Sequence, residues 1–278
     1  MVHHTLSGLS PLEPDRTSAP RRLPSALYVV STPIGNPDDF TLRAINVIRD
    51  ADVLVCEEFR NGMRLLKKLG IEPKEILTLN EHNESEQLDQ CLLKIANGAS
   101  LALVSDCGTP LFSDPGAQLV KVISDAGFRV VPVPGVSSLM AALSVTPAQL
   151  KKFYFAGFLP RADRERNAEL KRLNLLRVPV ILMDTPYRMA AILKAVGATF
   201  GKNRLATLAM NLTQPDETIL TGTVASIHAK VQNRKAEFIL ILHADQGAFT
   251  LTTDISTDTT NARIIRFQRS LDSARKHC

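Results

Sequence analysis

Tryptophan is absent from this chain, and aromatics make up only 5% of it, with three tyrosines among them. So sparse a set argues against reading single-stranded nucleic acid by stacking bases on rings, and favours recognition of a folded RNA or particle by shape. Cysteine is scarce as well. Cys56, Cys91, Cys107 and Cys278 stand far apart with no CxxC spacing, which speaks against a disulfide framework or a zinc site and for free thiols in a reducing, cytoplasmic setting. No apolar run reaches the ~18 residues of a membrane-spanning helix. The first 26 residues carry prolines and charges but no apolar core, so they do not read as a secretory signal. Arg16, Arg21 and Arg22 among Ser and Thr leave a transit segment open, and Glu13 and Asp15 weigh against it. No GxGxxG opens a helix after the first apolar run, and no GxxxxGK[ST] occurs, which removes the usual phosphate-cradling loops.

What is present points to an α/β fold. The 278 residues, 45% of them apolar, suffice for two globular domains. A net charge of +5 tolerates an anionic partner without requiring one. Leu27–Ser31, Val53–Cys56, Ile76–Leu79, Leu101–Ser105 and Arg129–Val133 are short apolar runs of the kind buried on both faces of a mainly parallel sheet. Helical spacing fills Thr41–Asp50, Asn61–Leu69, Ser85–Asn97 and Ala117–Ala126, and Gly70, Gly98 and Gly127 stand where helix caps belong. After a linker near Thr146–Lys152 come a run at Phe153–Phe158, a charged helix over Asp163–Leu176, a strand at Val180–Met183 and a helix over Pro186–Val196. Runs at Leu205–Met210, Glu217–Thr221 and Glu237–His243 follow, so the second half predicts a mixed sheet. The predicted organisation is a disordered leader over 1–26, α/β domains over 27–146 and 147–244 with a cleft between them, and a polar, then basic tail over 245–278.

In a parallel sheet, ligands bind at the carboxyl ends of the strands. The segments that follow the five runs are Ser31-Thr-Pro-Ile-Gly-Asn36, Cys56-Glu-Glu-Phe-Arg60, Asn80-Glu-His-Asn-Glu84, Ser105 through Gly116, and Pro134-Gly-Val-Ser-Ser138. Small, polar and acidic residues gather there, although any turn favours Gly, Pro and Asp. The Gly108–Gly116 loop adds a hydroxyl at Thr109 and lies beside carboxylates at Asp106 and Asp114, a set suited to a ligand bearing an ammonium group, hydroxyls or a cationic centre.

The phrases Val29-Val-Ser-Thr-Pro-Ile-Gly-Asn36, Leu103-Val-Ser-Asp-Cys-Gly-Thr-Pro-Leu-Phe-Ser-Asp-Pro-Gly116, Pro132-Val-Pro-Gly-Val-Ser-Ser138 and Phe155-Ala-Gly-Phe-Leu-Pro160 resemble, in order and spacing, the small-subunit ribosomal RNA 2′-O-ribose methyltransferase I family of the tetrapyrrole methylase superfamily. The resemblance runs from about Leu27 to about His243. It implies S-adenosylmethionine as methyl donor, a cleft between two α/β domains, a homodimer and no metal, with small-subunit ribosomal RNA or the assembled subunit as partner. Carried over by position, the donor site comprises Pro33, Ser105, Asp106, Gly108, Thr109, Ser113, Asp114, Ser137, Ser138, Met183 and Ala209. Glu57, Arg60, Asn83 and Glu84 are expected to line the acceptor pocket, with one carboxylate relieving the ribose hydroxyl of its proton.

The chain departs from the family pattern at Glu58 and Phe59, at Met183-Asp-Thr-Pro-Tyr-Arg188 and at Ala209-Met-Asn-Leu-Thr-Gln214. It also has no recognisable counterpart of the C-terminal RNA module in Asp245–Cys278. In these features it is similar to a shorter branch of the family. Fewer cations weaken RNA affinity. The basic stretch Lys151–Arg177 and the tail cations Arg263, Arg266 and Arg269 can compensate. A small-molecule acceptor, tetrapyrrole-like, and a non-catalytic donor- or RNA-binding role stay open as alternatives.

Overall fold

The computed structural model describes residues 22–244, apart from 81–82, 112–115, 149 and 233. The described residues through His243 form one compact unit. Ten strands and eight helices build it. The first half runs β1 (Ala26–Val30), α1 (Leu42–Asp50), β2 (Val53–Cys56), α2 (Phe59–Leu69), β3 (Glu75–Thr78), α3 (Glu84–Ala96), β4 (Ser100–Val104), α4 (Ala117–Asp125), β5 (Val130–Val133) and α5 (Ser138–Ser144). The second runs β6 (Tyr154–Gly157), α6 (Asp163–Asn174), β7 (Val180–Asp184), α7 (Met189–Phe200), β8 (Leu205–Met210), β9 (Thr218–Thr223), α8 (Val224–Val231) and β10 (Phe238–Leu242).

The first sheet has the order β3-β2-β4-β1-β5, and every pairing in it is parallel. Its strands alternate between two buried faces, which is why they read as unbroken apolar runs. Tyr28, Val30, Leu54, Cys56, Ala102 and Val104 pack with Ala44, Val47 and Ile48 of α1 and Leu66 of α2. Leu27, Val53, Val55, Leu101 and Leu103 pack with Leu88, Cys91 and Ile95 of α3 and Leu119 and Ile123 of α4. Each fully buried Val, Leu or Ile among them contributes about 1.5–3 kcal/mol. Helix ends are closed locally. Thr41 Oγ1 accepts from Ala44 N at 3.1 Å, and Gly70 ends α2 in the left-handed region at φ 66°, where a side chain would be strained. Lys74 Nζ donates to the carbonyls of Ile48 and Arg49 at the end of α1, both at 2.8 Å.

The second sheet is mixed, in the order β6-β7-β10-β8-β9, with only β6 and β7 parallel. Its strands also alternate. Val180 and Leu182, Leu208 and Met210, and Phe238, Leu240 and Leu242 face α6, α7 and α8. Ile181, Met183, Ala209, Ile239 and Ile241 face the other way, toward α5 and Ile34. The loop after β1 and the helix after β5 therefore pack on the second sheet, joining the two halves.

Helices α5 and α8 were not expected from the sequence. Each is short, at 7 and 8 residues, too brief to display a 3.6-residue period, and tertiary packing rather than local propensity holds such segments. The leader was expected to stay loose through residue 26, yet Ser25 Oγ donates to Ile95 O at 2.7 Å and Tyr28 Oη to Pro24 O at 3.0 Å. Residues 1–21 and the tail from 245, with Arg263, Arg266 and Arg269, lie outside the described residues. The described part of the Thr146–Lys152 linker holds neither helix nor strand. Among the described residues no helix is long and apolar enough to cross a membrane, and no cluster of His, Cys, Asp and Glu could hold a metal. Among the described residues Cys56, Cys91 and Cys107 are in no disulfide. Burial pushes the first two up to about 11, which keeps them protonated and unreactive at neutral pH.

Candidate active site at the joined strand ends

Because all five strands of the first sheet are parallel, their carboxyl ends share one edge. Strand order decides which end loops meet: β4, β1 and β5 are neighbours, so the loops after Val104, Val30 and Val133 abut. Thr32 N donates to Gly108 O at 2.8 Å. Thr109 Oγ1 donates to Val136 O at 2.9 Å and lies 2.9 Å from Ser31 Oγ. A hydroxyl carries one proton, so the Ser31 hydroxyl donates to Thr109 and the Thr109 hydroxyl to Val136, a two-step relay that ties the three loops. Gly135 permits this closeness, since a Cβ there would stand 2.8 Å from Ser31 Cβ. The single proton of Ser105 Oγ is shared between Cys107 O at 3.1 Å and Gly108 O at 3.2 Å, folding the turn that Gly108 completes at φ 80°.

That turn separates two cavities. The larger, about 470 Å³, is lined by Gly108, Thr109, Ser137, Ser138, Met183 and Ala209 of the expected donor set, together with Phe158, Asp184, Thr185, Leu212, Gln214, Glu237, Phe238 and Ile239. Strand register explains the floor. Met183 pairs with Ile239 and Ile239 with Ala209, so the three form one row across β7, β10 and β8 on the face turned to the first half. The smaller cavity, about 410 Å³, holds Pro33, Ser105 and Asp106 of the expected donor set beside Thr32, Gly35, Phe40, Asn61, Gly62, Arg64, Leu65 and Lys68. Ile34 and Cys107 line both. Ser105 and Asp106 thus face the smaller cavity and Gly108 and Thr109 the larger, with Cys107 between them. Ser113 and Asp114 lie outside the described residues.

The four expected acceptor residues are distributed differently. Glu57 and Arg60 are exposed, at the start of the β2–α2 connection and in the first turn of α2, and are not among the residues lining either cavity. Asn83 is used locally: its Oδ1 accepts from Asn80 N at 2.8 Å, and its Nδ2 donates to Thr78 O at 3.0 Å. Glu84 is the first residue of α3. β2 and β3 stand on the far side of β4 from β1, which sets these residues apart from the meeting point. Asn61, one residue beyond Arg60, crosses the gap, donating from Nδ2 to Asp106 Oδ2 at 2.7 Å.

The walls of the larger cavity carry their own electrostatics. Asp184, at the end of β7, is paired with Arg188 at 3.1 Å, while Arg188 also donates to Leu159 O and Pro160 O at 3.0 and 2.7 Å. Glu237 opens toward solvent at the rim, yet partial desolvation by the cavity walls raises its carboxyl above the usual range. The β8–β9 loop presents Leu212 and Gln214 through two non-glycine residues in the left-handed region, Asn211 at φ 47° and Thr213 at φ 64°. Such strain is tolerated where surroundings over-determine it. Here Asn211 Nδ2 donates to Asp216 Oδ2 at 2.6 Å, Thr213 N to Glu217 Oε2 at 2.7 Å, and Asn36 N to Thr213 Oγ1 at 3.0 Å. Apolar walls with a few convergent hydroxyls and carboxylates, in a volume within the ~300–1,000 Å³ of cofactor sites, fit an amphipathic sulfonium donor bearing ribose hydroxyls and an ammonium group.

Sequence reasoning missed Asp184, Thr185, Glu237 and Ile239. Asp184 ends β7 and Thr185 follows it, so both were open to the same reading as the other loops. Glu237 and Ile239 enter only through the pairing of β10 between β7 and β8.

Comparison with known proteins identifies the family and the fold. A family profile for tetrapyrrole (corrin/porphyrin) methylases matches residues 26–228. Ribosomal RNA small subunit methyltransferase I of Xylella fastidiosa (strain Temecula1) is 40% identical over 235 residues, 82% of this chain and 86% of that protein. The protein of the same name from Escherichia coli O157:H7 is 37% identical, over 80% of this chain and 78% of its own length. Among solved structures, Thermus thermophilus uroporphyrin-III C-methyltransferase complexed with S-adenosyl homocysteine superposes with a TM-score of 0.56 at 19% identity, covering 78% of this chain and 97% of that one. Diphthine synthase gives 0.61 at 14%, covering 78% and 89%. At such identities the structural likeness speaks for the fold. The chain belongs to the tetrapyrrole (corrin/porphyrin) methylase family, among relatives named ribosomal RNA small subunit methyltransferase I.

Proposed function

We propose that the chain methylates small-subunit ribosomal RNA with S-adenosylmethionine as donor, and that the acceptor is the 2′-hydroxyl of a cytidine ribose. The observation that carries this reading is the pair of cavities meeting at Ile34 and Cys107: a donor in one and an acceptor in the other need cross only that rim. S-adenosylmethionine supplies a methyl group on a positively charged sulfur. The chain's own work is to hold the two partners in line, which can supply about 7–11 kcal/mol of a barrier. The row of Met183, Ile239 and Ala209 provides apolar contact, and Thr109, Ser137, Ser138 and Glu237 provide hydroxyl and carboxylate partners. Asp106, the one carboxylate among the described residues lining the smaller cavity, takes the acceptor's proton, with Asn61 positioning it at 2.7 Å.

A homodimer belongs to the same reading on the family resemblance alone, and a cytoplasmic location is in keeping with relatives named ribosomal RNA methyltransferases. The basic stretch Lys151–Arg177 contributes less to RNA binding than its count suggests. Arg166 is buried against Asp163, and Arg172 is engaged by Glu169 and Tyr154. Lys151, Lys152, Arg161, Arg164, Lys171 and Arg177 stay exposed. Mass spectrometry of ribosomal RNA from a deletion strain tests the function: one ribose methylation in the small subunit is expected to disappear, and an unchanged pattern overturns the substrate assignment.

A further inference from the structure

Helix α2 carries Arg60, Arg64 and Lys68 at successive four-residue steps, a spacing that stacks side chains along one face of a helix. Arg64 and Lys68 line the smaller cavity, both are exposed, and neither forms an ion pair among the described residues. Like charges at this spacing oppose helix formation by about 0.2–0.5 kcal/mol per pair. Favourable interaction with the helix dipole accounts for cations in the last turn, Lys67 and Lys68. It does not account for Arg64, a turn earlier, whose one side-chain hydrogen bond among the described residues is a long 3.4 Å contact to Asn61 Oδ1. The amide of Asn61 thus faces both ways, its nitrogen on Asp106 and its oxygen toward Arg64. Pro33, Ile34, Phe40 and Leu65 add apolar lining to the same cavity.

A concave site of about 410 Å³ with two cations that form no ion pair among the described residues, apolar lining, and a carboxylate beside Cys107 of the shared rim has the chemistry to take a nucleotide by its phosphate. We propose that Arg64 and Lys68 clamp the phosphodiester beside the acceptor nucleotide, and so set which ribose lies next to Asp106. This rests on the RNA-methylating reading above. The clamp compensates, on the acceptor side itself, for cations missing elsewhere in the chain.

The test is fluorescence anisotropy of a short labelled oligoribonucleotide against the full chain across a salt series, for wild type, Arg64→Gln, Lys68→Gln and the double variant. On a single strand each phosphate contact contributes roughly 0.7 to the slope of log affinity against log salt. The double variant is therefore expected to flatten the slope by about 1.4 and to weaken binding at least tenfold at low salt, by the same counterion argument. Calorimetry with S-adenosylmethionine is expected to show the donor affinity of all variants unchanged, which also certifies their fold. Lys67→Gln, on the same helix but outside the cavity, is expected to leave the slope within error. An unchanged slope in the double variant, an equal loss in Lys67→Gln, or no oligonucleotide binding by wild type each overturns the clamp. Slope loss without any methyl transfer to ribosomal RNA keeps the clamp and sinks the methylation reading instead.

Discussion

Replacing Thr109 by valine removes a hydroxyl while nearly preserving shape, and the relay through it makes the consequence calculable. Two hydrogen bonds are lost, each 2.9 Å long, and an ordinary hydrogen bond is worth about 0.5–1.5 kcal/mol net. Their losses are unequal in kind. The Val136 carbonyl lies in an exposed contact and can be rehydrated, whereas Ser31 is only 5% exposed, so its hydroxyl keeps a proton with no acceptor, at about 1–3 kcal/mol. Thr109→Val is therefore expected to cost about 2–3 kcal/mol in urea unfolding, the orphaned hydroxyl dominating. Ser31→Ala removes that orphan, so the double variant should be less destabilised than the sum of the singles. A coupling of at least about 0.5 kcal/mol is expected, the threshold for residues sharing a network. Strict additivity, within about 0.3 kcal/mol, would refute the relay and with it the claim that one hydroxyl ties three strand-end loops.

Gly35→Ala tests the junction between the halves. The new Cβ meets Gln214 Cγ at 2.6 Å, Thr213 Oγ1 at 2.8 Å and the Leu212 carbonyl at 3.0 Å, and since backbone cannot yield as a side-chain end does, a loss of about 1–3 kcal/mol with weakened donor binding is expected by denaturation and calorimetry. Acid sensitivity is expected at His243, whose Nε2 lies 3.0 Å from Thr207 Oγ1. Burial and Arg204 depress its folded value below the ordinary 6.5, so the unfolded chain binds the proton more readily. Its contribution is complete above about pH 6.5 and is lost as pH falls through the depressed value. Unfolding followed against pH should be flatter over that window in His243→Gln. Lys74→Met, which strips the carbonyls closing α1 of their donor, is expected to lower stability by about 1–3 kcal/mol while leaving donor affinity intact.

The parallel sheet was legible because burial on both faces writes itself as unbroken Val, Leu and Ile, and the glycine after α2 marked its end. The loops that line the two cavities were legible because small and polar residues collect at strand ends. Strand order was not. Nothing in the sequence says that β4 inserts between β1 and β2, and that insertion alone brings Thr109 against Ser31 while standing Glu57, Arg60 and Asn83 aside. The same gap hid Ile239. Its neighbours Met183 and Ala209 were identified, but the antiparallel placement of β10 between their strands is a long-range pairing with no local signature. Helix α5 escaped because its seven residues lean on a sheet from the other half of the chain.

The central claim is that the 470 Å³ cavity floored by Met183, Ile239 and Ala209 receives S-adenosylmethionine. Titration calorimetry with wild type and Ala209→Leu tests it most directly, because the leucine adds bulk at one of the three floor residues that line the cavity. Saturable one-to-one binding by wild type, weakened at least tenfold in a variant that still unfolds cooperatively, is the predicted result. Absence of binding by wild type, or equal affinity in both proteins, contradicts it.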